Sequence, residues 1–304
     1  MIDRRSPPHG RDDLIADLRA IGVAPGDALL VHADLDAMGP LLGGARSVIE
    51  ALLAAVGSGG LVLMPAFTSD ALMPTTKTAA TRPVLEAAVP GFDAARSAAD
   101  RSGALAEAFR TWPETRRSSH PVYSLAALGA GAAEFLSPHP RDWALGPEGP
   151  MGRLLEHEAG KVLTVARAWS DHPALTMAET MALRRRLRVV RYKDIARRPA
   201  RWLHARDVAA DRGGAHPIVG AAFEAAAHEG RAGPLALARL GDAPASLCRL
   251  DDLVAFAAPC LARLNARTQD DPCRRTAPLR APADTARHPP ASWPCAPGER
   301  GESR

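Results

Sequence analysis

The stretch from Ala28 to Met64 constrains the fold more than any other part of this chain. Residues 28–32 (ALLVH) form a short apolar run suited to a buried strand. A loop carrying Gly39, Gly43 and Gly44 follows. Residues 44–56 (GARSVIEALLAAV) then place their apolar side chains at helical spacing. A Gly57-Ser58-Gly59-Gly60 run stops that helix, and residues 61–64 form a second strand before Pro65. A strand–loop–helix–strand unit of this kind buries its apolar faces only in a layered α/β protein.

The rest of the body extends the pattern. Residues 11–21 predict a helix with Leu14, Ile15 and Leu18 on one face, stopped by Gly22 and the Pro25-Gly26 pair. Helices are predicted at 103–111, 151–158, 173–183, 219–228 and 234–239, with Pro173 in the first turn of its helix. Strands are predicted at 122–128, 161–166, 188–192 and 202–203. Residues 70–100 read as an irregular excursion of the kind that carries substrate contacts. The expected fold is α/β, a layered sheet with helices on both faces, over residues 1–270. Residues 271–304 hold seven prolines and no period, and predict a disordered tail.

Composition excludes several classes. No apolar run approaches the ~18 residues of a membrane span. The N-terminus lacks the apolar core of a secretory signal, so a cytoplasmic protein is expected. Lys and Arg number 38 against 34 Asp and Glu, a net charge of +4 too modest to suggest a nucleic-acid partner. Cys248, Cys260, Cys273 and Cys295 lack CxxC spacing, so neither a zinc site nor a disulfide scaffold is expected. The phosphate-binding GxxxxGK[ST] and GxGxxG patterns are absent, as is the hydrolase elbow GxSxG.

Three features can carry chemistry. The loop between His32 and Gly44 precedes a helix N-terminus, where backbone amides attract a phosphate or pyrophosphate; a plain turn is the alternative. Two His-Pro pairs, His120-Pro121 and His216-Pro217, place an imidazole before a residue that favours extended backbone on its N-terminal side. They read first as structural junctions. The segment SDHPALTMAE enters a helix that Ser170 or Asp171 can cap, and it projects Thr176 and Glu179 one turn apart. The Arg184-Arg185-Arg186 run then reads as a solvated or phosphate-facing helix end. A metal-dependent hydrolase built on His120, Asp171, His172 and His204 is the remote alternative; it lacks an HxxxH or HxH core.

Taken in order, several stretches resemble the aminoglycoside 3-N-acetyltransferase family. They are VHADLDAMGPLLGGARSVIEALLAAVGSGGLVLMPAFT, GFDAARSAADRSGALAEAFRTWPETRRSSHPVYSLAALG, HPRDWALGPEGPMGRLLEHEAGKVLTV, LTMAE, GAAFEAA and DDLVAFA. The resemblance implies a fold distinct from the GNAT superfamily, and acetyl-CoA as the cosubstrate that acetylates an amine of a polycationic antibiotic. It assigns His32, Ala33, Asp34, Leu35, Gly39, Gly43, Gly44 and Ser47 to the cofactor's pantetheine and pyrophosphate. Arg117, Ser118, His120, Pro121, Val122 and Tyr123 fall near the thioester. Asp70, Asp93, Asp100 and Glu107 become candidates for the cationic substrate, since carboxylates attract ammonium groups. A monomer or homodimer is implied.

The resemblance also exposes a departure. The family pattern Asn-Thr-x-Leu-His-x-Ala-Glu is here His172-Pro173-Ala174-Leu175-Thr176-Met177-Ala178-Glu179, so Thr176 stands where the pattern has its histidine. An ammonium is no nucleophile, and a threonine hydroxyl is no base near neutral pH. A second family motif, acidic residues after an aromatic in a later strand, departs too: in Trp202-Leu203-His204-Ala205-Arg206-Asp207, His204 and Arg206 fall at or near the acidic positions, with Asp207 next door. Two readings stay open: His172 or His204 serves as base beside Glu179 or Asp207, or the chain binds CoA or aminoglycoside without turnover.

Overall fold

The computed structural model describes residues 7–73, 81–183, 187–195, 199–208 and 215–269. The elements run α1 (Arg11–Ile21), β1 (Ala28–Ala33), α2 (Ala45–Val56), β2 (Leu61–Pro65), α3 (Arg82–Ala88), α4 (Ala104–Arg110), β3 (Arg116–Arg117) and β4 (Leu125–Gly129). They continue with α5 (Ala132–Leu136), α6 (Pro150–Glu156), β5 (Gly160–Val165), α7 (Pro173–Met181), β6 (Leu187–Asp194), β7 (Arg201–Val208), α8 (Ala215–His228), β8 (Leu235–Leu240), β9 (Ala243–Arg249) and α9 (Leu250–Gln269). Among the described residues no helix is long and apolar enough to cross a membrane.

Among the described residues, seven strands form one sheet in the order β3-β4-β2-β1-β5-β9-β8. At its centre β1 pairs in parallel with both β2 and β5, and antiparallel strands extend each side. Alternate residues feed opposite faces, as a strand's twofold period requires. Leu30, Leu61 and Leu63 enter one apolar cluster; Leu29, Val31, Val62 and Met64 enter the other. Helices α1, α2 and α4 cover the second cluster, and α7, α8 and α9 the first. The sheet therefore has helices on both faces. The β6–β7 hairpin forms a separate two-stranded sheet.

Most predicted elements lie within a few residues of their expected bounds, with several differences. The stretch 70–100, read as irregular, holds helix α3, favoured by Pro83 in its first turn and the Arg82–Glu86 pair. The short elements β3 and α5 were not expected. The helix expected at 234–239 is strand β8, which pairs with β9 from Leu235↔Cys248 to Leu240↔Ala243. Its Leu, Ala and Arg residues are among the best helix formers, but sheet pairing overrides that local preference. Strand β9 and most of α9 were not expected. The strand expected from 122 begins only at Leu125, because Val122 and Tyr123 donate backbone hydrogen bonds to His120 Nδ1 in a turn. The tail at 271–304 and the Arg184-Arg185-Arg186 run lie outside the described residues.

Candidate functional site

A cleft of about 330 Å³ opens at the carboxyl ends of the three parallel strands, where open α/β sheets place their ligands. His32 of β1, Pro65 of β2 and Arg167, two residues beyond β5, line it from the sheet. Thr176 of α7, His216 of α8, and Arg188 and Asp207 of the β6–β7 hairpin line it from above.

One wall is a charged triangle. The buried Tyr123 hydroxyl donates to Asp207 at 2.6 Å, and Arg188 donates to Asp207 at 2.8 Å and to the Tyr123 oxygen at 2.9 Å. Burial, with the adjacent Asp207 charge, pushes the Tyr123 phenol up to about 12, so it stays a donor near neutrality. Arg101 sits 5.4 Å from the Tyr123 ring centroid. Arg167 adds a third guanidinium to the cleft, its Nε buried without a hydrogen-bond partner. Burial, followed by the Arg167 charge, holds His32 down at about 3.

Behind α7 lies a second polar cluster. Glu179 is buried, as are His216 and Asn265. His216 Nε2 is 2.8 Å from Glu179 Oε2, and Asn265 Nδ2 donates to Oε1 at 3.0 Å. His216 stands in the first turn of α8, where Pro217 is tolerated because first-turn amides have no helical partner. The extended backbone expected of a pre-proline residue is overridden there by the helix start. One turn further on, Gly220 lets Trp169 approach: a Cβ there would lie 2.1 Å from the indole. Gly220→Ala is expected to cost about 1–3 kcal/mol through overpacking, read as a lower melting temperature; an unchanged melting curve would refute this account of α8 docking.

The other catalytic candidates separate. Thr176 is half-buried on the cleft wall, and its hydroxyl donates to the His172 carbonyl at 3.3 Å. His172 itself is the N-cap of α7, in place of Ser170 or Asp171. Its Nδ1 accepts from the Ala174 amide and its Nε2 meets Thr164 Oγ1 at 2.8 Å, so both ring nitrogens are engaged. Burial, then the neighbouring His32, hold it well below the usual imidazole range. His204 lies on β7 with its side chain exposed. Of the five candidates, Thr176 and Asp207 line the cleft, and Glu179 reaches it through His216.

The loop assigned to the cofactor is largely self-satisfied. Amides of Asp36, Met38, Leu42 and Gly44 donate within the protein. Gly39 is needed because Asp242 packs against it, and a Cβ would lie 2.1 Å from that carboxylate. Gly43 lies against the Ser47 hydroxyl, which hydrogen-bonds the Leu42 carbonyl. Gly44 faces open space as the N-cap of α2, whose first-turn amides have no helical partner. Ala33 ends β1, the Asp34 amide donates to Val165 at 3.0 Å, and Leu35 packs on the core.

Between 117 and 123 only Tyr123 lines the cleft. Arg117 is a tether: it donates to the Ala66 carbonyl at 2.6 Å, to Ser124 Oγ at 2.9 Å and to the Ser97 carbonyl. Its ring partner is Phe92, 4.9 Å away, and burial lowers it to about 10. Ser118 bonds His139 and the Leu125 amide, and Pro121 and Val122 are buried in the turn. Three of the four acidic candidates have their carboxylates engaged locally. Asp93 accepts amides of its own turn, Asp100 accepts from Ser69, and Glu107 pairs with Arg110. The Asp70 amide bonds Thr68 Oγ1. None of the four lines the cleft.

Arg101, Arg167 and Arg188 were not anticipated. Arg167 follows a strand end, Arg188 stands on the hairpin facing it, and Arg101 lies in the loop before α4; these placements are visible only once the sheet order is known.

An α/β scaffold with a charged cleft at its parallel strand ends is the class these features define. The family model described as Aminoglycoside 3-N-acetyltransferase matches residues 30–262, and the chain belongs to that family. Aminoglycoside N(3)-acetyltransferase IX of Micromonospora chalcea is 33% identical over 220 residues, 70% of this chain and 77% of that protein. The solved structure of AAC-IIIb in binary complex with CoASH is 31% identical, with a TM-score of 0.73 over 86% of this chain and 98% of its own. AAC-VIa bound to sisomicin is 30% identical, with a TM-score of 0.71 over 86% and 99%. The fold is that of these acetyltransferases rather than of the GNAT superfamily.

Proposed function

We propose that this chain transfers the acetyl group of acetyl-CoA to an amine of an aminoglycoside. The observation that carries the reading is the cleft at the carboxyl ends of β1, β2 and β5, with Thr176 of one family motif and Asp207, beside the other, on its wall. The CoASH and sisomicin complexes of the two relatives support both ligand classes. Gly44 and the first turn of α2 hold the CoA pyrophosphate, and Arg101 and Arg167 bring positive charge toward its anionic groups. Asp207 attracts the acceptor's ammonium, tempered by Arg188. The free amine then attacks the thioester carbonyl directly, without an acyl-enzyme, and polar hydrogens at the cleft stabilise the developing oxyanion.

The test is thiol release from acetyl-CoA in the presence of an aminoglycoside panel. Release that depends on both components is expected. The second reading, binding without turnover, is favoured by the missing imidazole at Thr176. It predicts no release while CoA still raises the melting temperature. No release and no thermal shift would remove both.

A further inference from the structure

We propose that His216, oriented by Glu179, is the general base that stands in for the imidazole missing at position 176. The inference rests on the acetyl-transfer reading above. Both Glu179 oxygens accept hydrogen bonds, one facing His216 Nε2 at 2.8 Å and the other Asn265 Nδ2 at 3.0 Å. An acceptor at Nε2 places the ring proton there and leaves the lone pair on Nδ1. That Nδ1 is buried without a hydrogen-bond partner, and His216 lines the same cleft as Thr176. An imidazole held by a carboxylate on one nitrogen, with the other nitrogen free, is the arrangement that activates a nucleophile.

The relocation keeps the carboxylate and changes the helix that supplies the ring. Thr176 and Glu179 are three residues apart on α7, so they share a face. A histidine at 176 would stand beside Glu179; here the ring arrives from α8 instead. Gly220 allows α8 to close on Trp169, which fixes the approach. The other imidazoles are unsuited. His172 has both nitrogens engaged, and His204 is exposed. His32 lines the cleft, but burial and Arg167 leave it too weak a base to hold a proton near neutrality.

In the transfer, the amine nitrogen bonds to the thioester carbonyl carbon, and its proton passes to His216 Nδ1. The tetrahedral adduct collapses, the C–S bond breaks, and the departing thiolate takes that proton to leave as CoASH. The amide product and the neutral imidazole complete the balance.

The test is His216→Gln, whose amide can still donate to Glu179. The expected result is a kcat at least ~100-fold lower, with the KM for acetyl-CoA changed less than about twofold. Adding Thr176→His to that variant restores an imidazole beside Glu179 and should recover at least ~10-fold of the loss. An unchanged kcat in His216→Gln overturns the proposal. So does a loss that Thr176→His fails to recover in a folded protein with unaltered CoA binding. If the unmodified protein is silent with every aminoglycoside, the substrate reading falls, and hydroxylamine becomes the probe acceptor. Thiol release that depends on His216 then upholds the base. Equal release in His216→Gln, or none from either protein, overturns it.

Discussion

Lowering the pH from about 7 to about 5 should reduce the melting temperature by roughly 10 °C. Four buried imidazoles set this expectation. Burial, followed by Arg167, holds His32 at about 3, and burial holds His139 at about 4. Burial likewise keeps His120 and His172 well below the usual range. In the unfolded chain each imidazole takes up its proton near pH 6.5. Between that value and the lower folded one, the unfolded state binds more protons, so folding weakens as the pH falls. His32 and His139 each lose about 2 kcal/mol across this interval, and His120 and His172 act in the same direction. His32 and His139 alone contribute about 4 kcal/mol, or about 10 °C for a chain of this size. Glu107, lowered by its hydrogen bond to Arg110, acts in the same direction only below about pH 4.5, outside this window. Thermal melts at the two pH values decide the matter: a shift under about 2 °C would mean that these histidines protonate without unfolding the protein.

The same imidazoles show what the sequence could convey. The strand–loop–helix–strand unit was legible because burial on both sheet faces leaves unbroken apolar runs, and α2 carries a clear helical stripe. Strand β8 was not legible. Its Leu237 is exposed and its neighbours are Ala and Arg, so no alternation marks it; pairing with β9 makes it a strand. At the site, position decided legibility. Thr176 stood out because a motif fixed its place, and Asp207 only because it adjoins the acidic positions of a second motif, where His204 and Arg206 stand. Arg188 and Arg167 enter the cleft only through the way the hairpin faces the end of β5. His172 looked like a spare base one turn before Thr176, but its ring turns inward to cap α7 and meet Thr164. His216 was visible as a His-Pro pair. Its partner Glu179 lies 37 residues away, and no local pattern links the two.

Glu179→Leu should lower folding stability by about 3–5 kcal/mol, measured by urea unfolding. The substitution leaves His216 Nε2 buried without its acceptor and removes the Glu179 acceptor of Asn265 Nδ2; removing one member of a buried polar pair costs about 3–5 kcal/mol. A loss under about 1 kcal/mol would mean that the cluster rearranges or admits water. Stability is not what maintains this cluster, however. Desolvating a carboxylate and two polar partners offsets most of what their hydrogen bonds contribute, and apolar replacements of similar volume are often as stable. Combining Glu179→Leu with His216→Phe and Asn265→Leu should therefore return most of the lost stability. A combined variant no more stable than Glu179→Leu alone would show that the polar cluster is needed for folding. If stability does return, the recovered protein should still fail to release thiol from acetyl-CoA, because the carboxylate and the imidazole it orients are both gone. Stability and turnover would then be separable at these three positions, the outcome expected if Glu179 and Asn265 serve to hold the His216 ring that lines the cleft.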